Sequence, residues 1–197
     1  MKNFIQIGNK QIEISDEIAN NLKQQFSDKI EIDGEFTWYK EKNKDLDFSK
    51  IKNIADSANL QGCSSDMPSL KSIGGFAELR GCSSDLSSLK SIGSFADLRG
   101  CSSDMPSLKS IGSSADLRGC SSDLFSLESI GGSAYLQGCS SDLSSLKSIA
   151  DSANLQGCSK EFVKSLAKTL KKCGNIYIEF KDEPLTLEKF KEYADKL

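Results

Sequence analysis

Large apolar residues return along the middle of the chain every 19 positions. In the stretch Leu79–Asp97 they are Leu79, Leu86, Leu89 and Ile92, set among Ser, Gly and charged residues. The same pattern restarts at Leu60, Leu98, Leu117 and Leu136. A degenerate copy comes first: Asp47, Phe48, Ile51, Ile54, Ala58 and Leu60 fall where Asp66, Met67, Leu70, Ile73, Ala77 and Leu79 fall one period later. A partial copy ends near Cys158. A fixed period of this size predicts stacked coils, each too small to bury its own apolar face.

Within the unit, Ala77-Glu78-Leu79-Arg80-Gly81 alternates. Ala77 and Leu79 point one way and Glu78 and Arg80 the other, which is strand periodicity. Stacked copies then pair as a parallel sheet with coils about 4.8 Å apart. Ser83-Ser84-Asp85 is a turn cluster, with Asp85 placed as a helix N-cap. Leu86, Leu89 and Ile92 follow at a spacing that suits a short 3₁₀-like turn, and Gly93 stops it. Pro68 and Pro106 sit early in this segment, where a missing backbone N–H is tolerated. Each coil is therefore expected to run strand, turn, short helical turn. The alternative is a second extended stretch, which gives a triangular β-helix.

Outside the repeat the pattern changes. Phe4-Ile5-Gln6-Ile7 and Gln11-Ile12-Glu13-Ile14 flank Gly8-Asn9, a tight hairpin signal. Ser15 is placed to cap a helix with Asp16 and Glu17 in its first turn and Ile18, Leu22 and Phe26 on one face. Ile30 with Ile32, then Phe36 with Trp38, read as further strands. At the other end Ser159 caps a helix carrying Phe162, Leu166 and Leu170, ended by Gly174. Ile176, Ile178 and Phe180 alternate as a strand, and Thr186 starts a last helix with Leu187, Phe190 and Leu197. The expected fold class is an α/β repeat solenoid, a parallel β-sheet of stacked coils with α+β caps at both ends. The N-terminal cap spans 1–46, the solenoid 47–158 and a helix–strand–helix cap 159–197. Unlike ends suit a stack, because a bare terminal coil exposes apolar surface and a strand edge.

Composition narrows the function classes. The 197 residues carry a net charge of −3, so there is no global basic signature for nucleic acid. With 27% charged and 38% hydrophobic residues the chain is a folding one, not a disordered one. Met1–Ile14 has no continuous apolar core and no run approaches membrane-spanning length. The expected setting is a cytoplasm, bacterial or phage-infected, with no membrane partner. Histidine is absent, which removes the commonest general base and metal ligand. Neither a nucleophile elbow nor a phosphate-binding loop appears, so neither an enzyme nor a cofactor is expected. Cys63, Cys82, Cys101, Cys120, Cys139 and Cys158 recur at the repeat spacing. One thiol per coil lacks the clustering of a zinc site, so a buried column of reduced cysteines and no metal is expected. Cys173 stands outside the row and is expected to pack on a helix face.

Ala77-x-Leu79-x-x-Cys82 resembles the core of a leucine-rich repeat. The string Ser72-Ile73-Gly74-Gly75-Phe76-Ala77 followed by Gly81-Cys82-Ser83-Ser84 resembles the bacterial BspA-type members of that superfamily. The resemblance covers roughly residues 47–160. It differs in two respects: Ser84 stands where the family carries an apolar residue, and 19 residues is a short period. The resemblance implies protein binding through the sheet face.

That face carries three informative columns. One reads Asn59, Glu78, Asp97, Asp116, Tyr135, Asn154, and the next reads Gln61, Arg80, Arg99, Arg118, Gln137, Gln156. These three Arg are the only Arg in the chain. A guanidinium binds carboxylate or phosphate bidentately, so the row reads as an anion-recognising stripe, or as a duplicated feature that the acidic column neutralises. The third column places Phe76 and Phe95 beside the stripe. The expected partner-binding residues are thus Arg80, Arg99, Arg118, Glu78, Asp97, Asp116, Phe76, Phe95 and Tyr135. A protein is the leading partner. The alternative is nucleic acid, with the Arg tracking phosphates and Phe76 or Phe95 stacking on bases. The small, Lys-rich, Arg-poor chain with unlike ends also resembles accessory proteins of phages and mobile elements. Some of those inhibit host defence nucleases such as CRISPR effectors, and an anti-CRISPR role is what that resemblance implies.

Overall fold

Stacking turns the extended stretches of each repeat into rungs of parallel sheets. The computed structural model of the chain describes residues 3–7, 10–15, 17, 20, 31–37, 47–178 and 183–197. Each coil contributes two short strands. Ser72–Ile73, Ser91–Ile92, Ser110–Ile111, Ser129–Ile130 and Ser148–Ile149 lie in one sheet, here the Ser-Ile sheet. Ala77–Glu78, Ala96–Asp97, Ala115–Asp116 and Ala134–Tyr135 lie in the other, the Ala sheet. Every residue faces its equivalent one repeat away, Ile92 opposite Ile111 and Ala96 opposite Ala115. The protein is a parallel β-solenoid.

The short helical turn expected in each coil is replaced by a second strand. Leu89 N donates to Leu86 O at 2.9 Å, a single turn that goes no further. Ile92 lies beyond it, in the strand Ser91–Ile92. Lateral bonds take over there: Lys90 N donates to Lys71 O at 2.8 Å and Gly93 N to Ile73 O at 2.8 Å. A 3₁₀ turn has poorer hydrogen-bond geometry than a ladder, and Ile is stiff and β-favouring, so the ladder wins. The α/β coil is therefore corrected to an all-β one, the extended alternative. A third side is held by Ser83 N to Cys63 O at 2.9 Å and Ser102 N to Cys82 O at 3.0 Å, joined in alternate coils by Met67 N to Asp85 O at 2.9 Å and Met105 N to Asp123 O at 3.0 Å.

The interior is a set of straight columns. Leu79, Cys82, Leu86, Leu89, Ile92 and Ala96 are buried, as are their equivalents through the repeat except Cys158, which is half-buried at its end. Between Leu79 and Cys82 the chain must swing inward, and Gly81 does this at φ +63°, a left-handed conformation that side chains disfavour.

Both sheets run past the repeat. Glu31–Ile32 pairs with Asn53–Ile54 and Phe36–Thr37 with Ala58–Asn59, adding one rung before residue 47. Asn175–Tyr177 pairs with Ser152–Asn154, adding one after Cys158. Between them runs α1 (Lys160–Thr169), capped by Ser159, whose hydroxyl accepts from Phe162 N at 3.1 Å. Val163, Leu166 and Leu170 bury against the stack, and α2 (Leu187–Asp195), capped by Thr186, adds Phe190. Gly174 does not end α1, which stops at Thr169. At the N-terminus Asn3–Ile7 and Lys10–Ile14 form the expected antiparallel hairpin. Gly8-Asn9, most of the Ser15 helix including Ile18, Leu22 and Phe26, and Ile30, Trp38 and Phe180 lie outside the described residues.

Because each coil touches only its neighbours, length is modular. Deleting one whole repeat, Leu98–Asp116, is expected to leave a folded protein of lower stability by circular dichroism and thermal melting. Deleting only its first half is expected to unfold the protein, since it destroys the register on all three sides. Equal behaviour of the two deletions would contradict this architecture.

Candidate functional site

The outer face of the Ala sheet is built by alternation. Ala96 and Leu98 are buried, so Phe95, Asp97 and Arg99 must face outward. Each Arg is then brought to the acid two residues before it. Arg99 Nε donates to Asp97 Oδ1 at 2.9 Å and its Nη2 to Asp97 Oδ2 at 2.5 Å. Arg118 repeats this on Asp116 at 2.8 and 2.6 Å. Arg80 Nη2 donates to Glu78 Oε1 at 2.5 Å. Arg99 also lies 3.5 Å from Asp116 Oδ2, which links one rung to the next. The carboxylates are buried beneath their partners, Asp97 at 5% and Asp116 at 6% exposure, whereas the guanidiniums stay near half exposed. The Arg99 guanidinium is the first cause holding the Asp97 carboxyl below the usual range, against the opposing effect of burial.

A second bond shows why the acid is there. Asp97 Oδ1 also accepts from Arg99 N at 3.2 Å, and Asp116 Oδ1 from Arg118 N at 3.3 Å. Where the rung carries amides instead, Asn59 Oδ1 accepts from Gln61 N at 3.2 Å and Asn154 Oδ1 from Gln156 N at 3.1 Å. The Asp or Asn oxygen thus closes a turn ahead of the left-handed Gly in charged and neutral rungs alike. The two columns change together: Glu78/Arg80, Asp97/Arg99 and Asp116/Arg118 are charged pairs, whereas Asn59/Gln61, Tyr135/Gln137 and Asn154/Gln156 are neutral. A lone Asp without its Arg would leave a buried carboxylate unpaired.

The aromatic column is equally ordered. Phe76 and Phe95 stack with centroids 5.5 Å apart and planes 5° from parallel, both half-buried. Tyr135 is 43% exposed and stands in the acid column one rung beyond Asp116. All nine expected residues therefore lie on one face. They offer fixed guanidiniums and flat apolar surface.

Two features were not singled out from the sequence. Phe125 is 43% exposed at a turn where the other repeats carry Pro68, Ser87, Pro106 or Ser144. Its signal was its departure from the repeat. The other is a row of lysines, Lys52, Lys71, Lys90 and Lys109, exposed beside the Ser-Ile sheet. The same column reading finds it.

The cysteine column is buried from Cys63 to Cys139, and all seven cysteines are free thiols. Burial pushes the Cys101 thiol up to about 11 and Cys139 to about 12. The Ser row at the position of Ser84 faces inward: Ser103 Oγ lies 3.3 Å from Cys82 Sγ and Ser122 Oγ donates to Cys101 O at 3.3 Å, whereas Ser84 Oγ is buried without a hydrogen-bond partner among the described residues. Among the described residues no group of His, Cys, Asp or Glu could hold a metal ion, and no helix is long and apolar enough to cross a membrane. Comparison with protein-family models, with curated proteins and with solved structures returns no match.

Arg99→Gln alone is expected to destabilise the protein by about 1–3 kcal/mol, the cost of an unsatisfied buried group. Asp97→Asn with Arg99→Gln recreates the Asn154/Gln156 rung and should recover most of that loss in urea melts. A carboxyl with a depressed folded pKa contributes stability above its unfolded value and loses it as pH falls through the folded one. The wild type should therefore weaken on acidification below the ordinary carboxylate range, and the double variant should do so less. Simple additivity of the two single changes would refute the coupling.

Proposed function

We propose that the protein is a non-enzymatic protein-binding scaffold whose working surface is the outer face of the Ala sheet. Phe76, Phe95, Tyr135, Arg80, Arg99 and Arg118 are the contact groups, and Glu78, Asp97 and Asp116 hold the guanidiniums in place. The two unlike ends serve as α+β caps that close the stack and leave its sides open. The observation that carries this reading is the half-buried Phe76–Phe95 stack beside Arg side chains already fixed by their own carboxylates. Aromatic and Arg side chains dominate interface energetics, and fixed ones lose little freedom on binding. In Arg99 and Arg118 the bonds to Asp use Nε and Nη2, which leaves the Nη1 side for a partner. The likeness to leucine-rich repeats supports the same use of a sheet face.

Pairing weighs against the nucleic-acid reading of this stripe. Affinity for phosphate backbones comes from net positive charge and counterion release. Each Arg here is matched by a carboxylate, so the stripe presents no net positive charge.

The test uses substitutions that the repeat itself tolerates. Phe76→Ser and Phe95→Ser match Ser114 in the same column, and Asp97→Asn with Arg99→Gln matches the last rung. The combined variant is expected to melt close to wild type and to lose the partner that the wild type captures from host lysate. For the purified partner, the Asp97→Asn/Arg99→Gln change alone should weaken binding by about 1.5–3 kcal/mol, the range for a hydrogen bond to a charged group. Capture of the same proteins by wild type and variant would reject this face.

A further inference from the structure

A second charged row, on a different side of the coil, behaves oppositely to the Arg stripe. Lys71 N donates to Lys52 O at 2.6 Å, Lys90 N to Lys71 O at 2.8 Å and Lys109 N to Lys90 O at 2.9 Å. The four lysines are thus stacked backbone to backbone, one per coil, and all are exposed. Their rise is that of a parallel sheet, so four ammonium stems leave a straight line about 14 Å long at about 4.8 Å per step. None of the four forms an ion pair with a described residue. The next position is Glu128, which ends the run, pairs with Lys147 at 2.8 Å and is also favoured as a carboxylate by the charge of Lys109. The Asp row beyond the neighbouring turn is engaged with backbone instead: Asp66 Oδ1 accepts from Asp85 N at 2.8 Å and Asp85 Oδ1 from Ser87 N at 2.9 Å.

Like charges on adjacent strands repel. The Arg row answers this with an acid in contact in each rung, whereas no described acid lies within ion-pair distance of the Lys row. A linear polyanion is what completes it. We propose that Lys52, Lys71, Lys90 and Lys109 form a docking track for the phosphate backbone of a single-stranded nucleic acid, bound without base recognition. A single file of point-like ammoniums imposes no fork geometry and suits one flexible strand of regularly spaced phosphates, whose condensed counterions are released on binding. The rows beside Lys71, Lys90 and Lys109 are Ser72, Ser91 and Ser110 on one side and Ser69, Ser88 and Ser107 on the other, with Asn53 and Lys50 in the same places beside Lys52. The serines supply hydroxyls and no aromatic platform for bases. Near the track the single large exposed apolar side chain among the described residues is Phe125, one rung past Lys109, too little for insertion into a lipid surface. This track is separate from the Ala-sheet face, and variants on the two faces test them independently.

The experiment is fluorescence anisotropy of labelled oligothymidylate with the full chain, over a range of salt concentrations. Four neutralised phosphates on a single strand predict a slope of log K against log salt of about −2.8. Lys71→Gln/Lys90→Gln/Lys109→Gln should cut the slope to about −0.7 and abolish binding at physiological salt, with the melting temperature unchanged. Glu128 already occupies the row, so a non-lysine side chain is tolerated there. Should the triple variant fold poorly, Lys90→Gln alone should give a slope of about −2.1. The Asp97→Asn/Arg99→Gln variant should bind the oligonucleotide as wild type does. Absence of salt-dependent binding, an unchanged slope in the Lys variants, or loss of binding only in the Arg-face variant would each overturn the proposal. So would preferential displacement by polyglutamate or by anionic phosphatidylserine vesicles, which would assign the row to an acidic protein or a membrane.

Discussion

The lateral backbone hydrogen bond between equivalent positions of successive coils governs everything else in this protein. It fixes a register of one repeat, so each side chain stands above its own copy. Leu79 N bonds Asp97 O on one side of the coil, Gly93 N bonds Ile73 O on another and Ser83 N bonds Cys63 O on the third. Strands of two residues are far too short to be stable as isolated pairs. They persist because three sides are pinned at once and every inward position is filled by the same side chain from rung to rung. The narrow choice of interior residues follows. A column shared by five or more coils admits only a narrow range of side-chain sizes: within the array Met67 and Met105 replace Leu86 and Leu124 at nearly equal volume, and the larger Phe48 enters the column only in the degenerate first coil.

The same constraint forces electrostatic decisions outside. A charge placed in one coil is copied into a row with about 4.8 Å between members. The row must then be neutralised within the coil, interrupted, or left for something else to neutralise. All three occur. The Arg row is neutralised by an acid two residues earlier in the same strand, close enough for two hydrogen bonds to one carboxylate. The C-terminal part of the Lys row is interrupted by Glu128. The run Lys52–Lys109 is neither. Turn chemistry adds a condition for the Arg row: the acid is also the acceptor that closes the turn before the left-handed Gly. An Asn can replace it there, but only if the Arg leaves too.

Much of this was legible in the sequence. The period, the alternation around Leu79, the buried Cys column, the helix caps at Ser159 and Thr186 and the sharing of one face by Phe, acid and Arg columns all follow from spacing. The second sheet was misread because the three-residue step from Leu89 to Ile92 is common to a 3₁₀ turn and to a chain that leaves a turn and enters a strand. Local spacing cannot separate these; the lateral partners Lys71 and Ile73 decide it, and they belong to another coil. The extra rungs at Glu31–Thr37 and Asn175–Tyr177 were hidden for a related reason. They pair at offsets of 22 and 23 residues, so the repeat alone does not reach them. The Lys row escaped because lysine is common in this chain and unbroken repetition reads as background, whereas Arg drew notice by its rarity.

Pairing also separates what the two faces can recognise. A guanidinium already held by a carboxylate attracts little from a distance, because the pair is nearly neutral beyond a few ångströms. Its value lies in short-range geometry, and that is the demand of a protein surface with its own fixed groups. Four ammoniums that form no ion pair with a described residue act in the opposite way. Their field adds along the row and reaches about 8–10 Å at physiological salt, but they impose little angular order on what arrives. One coil geometry therefore yields a face suited to shape and a face suited to charge. The difference between them comes down to whether position two before the cation holds an acid, as Asp97 does for Arg99, or a serine, as Ser88 does for Lys90.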